Sequence, residues 1–182
     1  TCYVNSVLQQ IYMQPAVRAS LLKVPPPTGA DSHTNILYHI QAGFASLQES
    51  KMQQCIPKGF WENYKHSDGT ALNLREQRDA HSFFIELIDQ LDQKLEAQKC
   101  PKFFERWFGG MFVDQKTAMP GRNPCCEKTF EREEPFISLQ MNVRNSPNLV
   151  QALELYVQGD PLEGANAYAC EPCNAKRDTL KR

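Results

Sequence analysis

Thr1-Cys2-Tyr3-Val4-Asn5-Ser6-Val7-Leu8-Gln9-Gln10 opens the chain, and its periodicity sets how the rest is read. Val4, Val7, Leu8, Ile11 and Tyr12 recur at helical spacing, which predicts a helix that begins just after Cys2 and stops or bends at Pro15. A thiol at a helix start faces unpaired backbone N–H groups and the positive end of the helix dipole. Both favour the thiolate, the nucleophilic form of cysteine. Position therefore makes Cys2 a candidate nucleophile, against the plainer reading of a cysteine as a small buried hydrophobe.

Further along, Val24-Pro25-Pro26-Pro27-Thr28-Gly29 reads as a loop, since consecutive prolines fix φ and remove donors. Ile36, Leu37, Ile40, Phe44 and Leu47 resume the helical period, and Pro57-Lys58-Gly59 ends that section. The strongest pattern is Ala80, Phe83, Phe84, Leu87, Ile88, Leu91 and Leu95, one continuous apolar face that predicts a central core helix. After Gly109-Gly110 the style changes. Phe136 to Val143 alternates, with Ile137, Leu139, Met141 and Val143 on one side, as in a half-buried strand. Leu149, Val150, Leu153, Tyr156 and Val157 predict one more short helix before Gly159-Asp160-Pro161. The fold class is thus α+β, with helices first and sheet after.

The 182 residues suffice for one domain with a sizeable core. Hydrophobic residues at 41% and charged residues at 23% are globular proportions. With 20 basic against 21 acidic residues there is no bulk field to attract nucleic acid or an anionic membrane, so a partner must be recognised by a local surface. No apolar run approaches the ~20 residues of a bilayer span, and the first residues lack the pattern of a signal peptide. The expectation is a soluble protein of the cytoplasm, with the nucleus as an alternative. Seven cysteines, two of them solitary at Cys2 and Cys55 and four gathered late at Cys125, Cys126, Cys170 and Cys173, suit a reactive thiol plus a metal site better than a disulfide framework. Both ends look cut, so a fragment is expected.

The opening decapeptide resembles the cysteine box of ubiquitin-specific proteases, papain-like deubiquitinases whose box reads Thr-Cys-Tyr-Met-Asn-Ser, with Val4 here in place of methionine. Gln77-Arg78-Asp79-Ala80-His81-Ser82-Phe83-Phe84 is similar to that family's Gln-x-Asp-Ala-x-Glu-Phe segment, and Tyr168-Ala169-Cys170-Glu171-Pro172-Cys173 to its Tyr-x-Cys-x-x-Cys. Gln9-Gln10-Ile11-Tyr12-Met13 and Leu162-Glu163-Gly164-Ala165-Asn166-Ala167-Tyr168 further resemble the fat-facets-like branch. The resemblance implies a papain-like fold fragment, with a helical thumb carrying the cysteine box at 1–107 and partial, β-rich fingers at 108–182. The palm that carries the catalytic histidine is expected to be missing.

It also implies a chemistry. Cys2 would attack the carbonyl after the terminal glycine of ubiquitin, with a histidine as base and an Asp or Asn orienting it. The implied partners are ubiquitin and ubiquitinated proteins, with no nucleic acid and no membrane. The family's histidine follows the Tyr-x-Cys-x-x-Cys element, whereas His33, His39, His66 and His81 all precede it and read as structural. The oxyanion-hole Asn of the family precedes the cysteine. Asn5 follows it, and is expected to hydrogen-bond within the first helical turn. The fragment alone is expected to be inactive, and a non-catalytic ubiquitin-binding module is the alternative. Gln77 and Asp79 stand where the family holds the arginine-containing ubiquitin tail, against the plainer reading of an ordinary helix start. Ser82 replaces the family's usual Glu and removes one acidic contact.

Cys170-x-x-Cys173 is half of a zinc ribbon, two thiolates from one tight turn. The other half departs from the pattern, because Cys125 and Cys126 are adjacent and Asn123 falls near the place of the missing ligand. One structural zinc on Cys126, Cys170 and Cys173, with Cys125 as a fourth ligand, stands against a ribbon that has lost its metal. No catalytic cofactor is implied.

Overall fold

The computed structural model describes residues 2–29, 32–119 and 129–182. They form two compact units, Thr1–Trp107 and Phe108–Arg182.

The first unit is helical. α1 (Cys2–Met13) ends where Pro15 begins α2 (Pro15–Lys23), because proline lacks the N–H that a continuing helix needs but is at home in a first turn. The prolines at 25–27 then carry the chain away. The side-chain amide of buried Gln41 donates to the Leu21 and Val24 carbonyls at 3.0 and 2.9 Å, the first of which also accepts the Val24 main-chain N–H at the helix end. α3 (Ile36–Glu49) is capped by Asn35, and α4 (Lys58–Asn63) starts directly after Pro57, so the Pro-Lys-Gly read as an ending also begins the next helix. α5 (Ala80–Ala97) has the predicted apolar face: Phe83, Leu87, Ile88, Leu91 and Leu95 are all buried. Tyr3, Val4, Val7 and Ile11 of α1 and Leu37, Ile40 and Phe44 of α3 complete that core. α6 (Phe103–Phe108) is tied back to α5 by the Phe104 N–H, which donates to Asp92 at 3.1 Å.

The second unit is built on antiparallel pairs. β1 (Gly110–Ala118) pairs with β2 (Thr129–Phe136) from Gly110↔Phe136 to Thr117↔Thr129. With β3 (Asp160–Leu162) and β6 (Thr179–Lys181) they make one sheet in the order β2-β1-β6-β3, and β4 (Tyr168–Cys170) with β5 (Ala175–Arg177) makes a separate ribbon. The far edge of the Phe136 ring lies across Gly110, so a larger residue at the start of β1 would have to displace that ring. α7 (Leu149–Val157), capped by Asn148, is the short helix that the sequence predicts.

The strand predicted from Phe136 to Val143 is not formed. β2 ends at Phe136, and residues 137–143 have no ladder partner among the described strands. Alternation marks which side chains share a face but supplies no neighbour, and β1, the one partner of β2 among the described strands, begins at Gly110. In class the architecture is the expected one, helices followed by antiparallel sheet in a papain-like α+β fragment.

Candidate functional site

Cys2 is the first residue of α1 and is exposed, while Tyr3 and Val4 behind it are buried. The same helical period that buries Val4, Val7 and Ile11 therefore turns the thiol outward. Ser6 Oγ donates to the Cys2 carbonyl at 2.8 Å, so Ser6 makes the first-turn hydrogen bond expected of Asn5. Asn5 instead lines a cavity on α1 and makes no side-chain hydrogen bond among the described residues. A hydroxyl four residues on reaches the carbonyl of its own turn, whereas the bulkier amide is taken outward.

Tyr3 fixes this helix start to α5. Its ring meets Phe83 edge-on at 5.2 Å, and Phe83 meets Tyr64 at 5.3 Å. Phe83 lies in the first turn of α5, whose cap is Asp79, so the cysteine box and the Gln77-to-Asp79 segment come to the same end of the unit. Arg78 and Glu76 bear electrostatically on the Tyr3 hydroxyl, and burial raises its pKa. The helix start that carries Cys2 is thus packed, through Tyr3, on the first turn of the helix that Asp79 caps.

Residues 73–82 form a continuous exposed stretch. Gln77 makes no side-chain hydrogen bond among the described residues. Asp79 Oδ1 accepts from the Ser82 main-chain N–H at 2.7 Å and from the Ser82 hydroxyl at 2.9 Å. Those two bonds hold its carboxyl below the ordinary range, main chain first and hydroxyl second, with desolvation opposing. A carboxylate at this place is an acceptor for an arginine or for extended-backbone N–H groups.

One group escaped the sequence reading. The Glu86 carboxylate on α5 receives Tyr64 Oη at 2.8 Å, His66 Nδ1 at 2.8 Å and the Ser67 main-chain N–H. Burial pushes its carboxyl up, but the bonds from His66, Ser67 and Tyr64 outweigh that and bring it down to about 2. Burial, then the bond to Glu86, raises Tyr64. Gln90 adds a bond to the Lys65 carbonyl at 2.9 Å. Together these clamp the turn at 64–71 onto α5, just ahead of the exposed stretch. Glu86 lies beside the apolar face and is one of four acidic residues on α5, with Asp89, Asp92 and Glu96, so no local signal set it apart.

Two of the histidines are engaged away from the thiol. His66 serves Glu86, and His39 Nε2 lies 2.6 Å from the His33 carbonyl, to which it donates. Among the described residues none donates a hydrogen bond to, or accepts one from, the Cys2 thiol. Cys55, the other solitary cysteine, lines the α1 cavity of about 250 Å³ with Leu8, Tyr12, Ile40, Phe44 and Phe60.

In the second unit Cys170 is buried at the end of β4, and a single turn carries the chain to Cys173 and then to Asn174, which adopts a left-handed conformation at φ 49°. One turn between two thiols is the form of half a zinc ribbon. Cys125, Cys126 and Asn123 lie outside the described residues, and the described ones alone bring together no group of three or more metal-ligating side chains.

Comparison with known proteins gives the family of the chain. The family described as "Ubiquitin carboxyl-terminal hydrolase" matches residues 1–149. The chain is 41% identical over 182 residues to "Ubiquitin carboxyl-terminal hydrolase 24" of Homo sapiens, and 36% identical over 226 aligned residues to "Ubiquitin carboxyl-terminal hydrolase 9Y" of Homo sapiens. It is 35% identical over 229 aligned residues to "Probable ubiquitin carboxyl-terminal hydrolase FAF" of Drosophila melanogaster, as the fat-facets-like phrases led us to expect. Each match covers the whole of this chain but only 7%, 9% and 8% of the respective relative, so the chain spans less than a tenth of their length.

Proposed function

Since the chain belongs to the ubiquitin carboxyl-terminal hydrolase family, as part of a ubiquitin-specific protease catalytic domain, we propose that it supplies the nucleophile and a tail-binding edge to a deubiquitinase. The observation that supports this reading is that Tyr3, next to exposed Cys2, packs on Phe83 in the first turn of the helix capped by exposed Asp79. Cys2 Sγ attacks the carbonyl carbon of the terminal glycine of ubiquitin. The amine of the conjugated lysine or peptide leaves with a proton, and water then releases ubiquitin from the thioester. Gln77 and Asp79 hold the extended tail so that its last carbonyl lies at the thiol, which lowers the entropic part of the barrier. Partners on this reading are ubiquitin and ubiquitinated proteins.

The family resemblance puts the base on a histidine that follows the Tyr-x-Cys-x-x-Cys element, and among the described residues none hydrogen-bonds the thiol, while His39 and His66 are bonded to the His33 carbonyl and to Glu86. The 182 residues alone therefore turn over little or no conjugate. That same observation favours one second reading, a ubiquitin-binding module without catalysis. Hydrolysis of a ubiquitin C-terminal amide by the protein carrying this chain separates the two. Cys2→Ala is expected to abolish hydrolysis while ubiquitin binding persists; hydrolysis that survives the substitution would refute the nucleophile, and no hydrolysis in the unsubstituted protein selects the binding module.

A structural zinc on Cys126, Cys170 and Cys173 belongs to the same proposal, supported by the one-turn spacing of the last two. Metal analysis of protein purified without added zinc is expected to find close to one equivalent. Negligible zinc in folded protein would remove it.

A further inference from the structure

We propose that Ser82 is the positioning residue for Asp79, holding its carboxylate in place to receive an arginine of the ubiquitin tail; this rests on the tail reading above. A helix cap needs only the main-chain N–H of the third residue, which Ser82 supplies at 2.7 Å. Ser82 adds a second donor, its hydroxyl, to the same Oδ1 at 2.9 Å. Two bonds from one residue to one oxygen fix both torsions of a short side chain that is otherwise at the surface. Ser82 is itself exposed, so the hydroxyl has no packing role to explain it.

The consequence for binding is entropic. An exposed ion pair gains little because both side chains must be ordered to form it. A carboxylate already held by its neighbour removes its half of that cost, and the incoming arginine orders only itself. The charged groups beside Asp79 are His81 in the same first turn and the Arg78–Glu76 pair, 3.3 Å apart, in the preceding segment. The hydroxyl also helps to keep the carboxylate ionised, since its bond is second only to the main-chain bond in lowering the Asp79 pKa.

The test compares binding of ubiquitin, and of ubiquitin lacking its C-terminal tail, to the chain and to D79N, S82A and S82T across acidic pH. The unsubstituted chain is expected to prefer full-length ubiquitin, and D79N to lose that preference. S82A, which keeps the main-chain cap, is expected to bind about three- to tenfold more weakly, the range for one ordinary hydrogen bond, since the bond lost positions the carboxylate and is not itself made to ubiquitin. Binding by S82A should also fall off at higher pH on the acid side, because the carboxyl moves back toward its ordinary range. S82T, with its hydroxyl restored, should recover both the affinity and the acid limb, which a merely structural effect of the alanine would not predict. If D79N binds as the unsubstituted chain does, the tail reading fails and this inference with it. If D79N weakens binding while S82A matches the unsubstituted chain in affinity and acid limb, the tail reading stands and the role of Ser82 is refuted.

Discussion

The two units of the chain bury their apolar side chains to very different degrees. In Thr1–Trp107 the helices share a core in which Val4, Leu21, Leu37, Tyr64, Leu87, Leu91, Leu95 and Phe104 are all within 1% of full burial. In Phe108–Arg182 the described residues that reach burial are Ala152, Cys170 and Thr179, while Leu149, Val150, Leu155 and Val157 of α7 are more than half exposed. The first unit is therefore specified by side-chain packing. The second is specified by backbone ladders, cross-strand pairs such as the stacked Phe112 and Phe136 rings, and turn chemistry. That difference bears on the proposal: Cys2, the proposed nucleophile, and the Gln77-to-Asp79 segment both lie on the unit with the buried core.

The comparison breaks most visibly under truncation. Leu87→Ala, in the middle of α5, is expected to destabilise the chain by ~2–5 kcal/mol in urea denaturation, because a fully buried leucine leaves a cavity. A loss below ~1 kcal/mol would mean that the α5 core is far looser than its burial indicates. Next comes the polar clamp of the same unit. Glu86→Gln, which weakens three hydrogen bonds at once, is expected to cost ~1–3 kcal/mol. The sign of its pH dependence follows from the lowered carboxyl. The folded state keeps Glu86 charged down to about 2 against an ordinary 4.5, so the stability it adds is whole above 4.5 and fades as pH falls from there toward 2. Glu86→Gln should flatten that part of the acid limb, and an unchanged limb would show that the clamp does not operate. Smallest is Val150→Ala on the exposed side of α7, expected within ~0.5 kcal/mol of the unsubstituted chain. A loss approaching that of Leu87→Ala would show that α7 is buried in solution and would erase the contrast between the units.

These same contrasts explain what could be read from the sequence. The helix start at Cys2 was legible because helical periodicity and Pro15 are local signals, and α5 was legible because its apolar face runs unbroken from Phe83 to Leu95. Cys2, Gln77 and Asp79 were singled out by resemblance, but the contact of Tyr3 with Phe83 that joins α1 to α5 was not legible, since ring contacts between helices leave no local pattern. The Glu86 clamp was missed for a related reason: it joins residues 64–67 to α5 across about twenty positions of sequence. The strand expected at Phe136 to Val143 failed because alternation is a property of one segment, whereas a strand needs a second. Asn5 and Ser6 exchanged roles because composition alone does not tell which of two neighbouring polar side chains turns back onto the helix.

The most direct test of the central claim uses ubiquitin with an electrophile at its C-terminus, reacted with the protein carrying this chain, followed by mass-spectrometric mapping of the adduct. The account predicts a single adduct on Cys2, lost in Cys2→Ala with the helical content unchanged. An adduct on Cys55 in its cavity, or on Cys100, that persists in Cys2→Ala would contradict it.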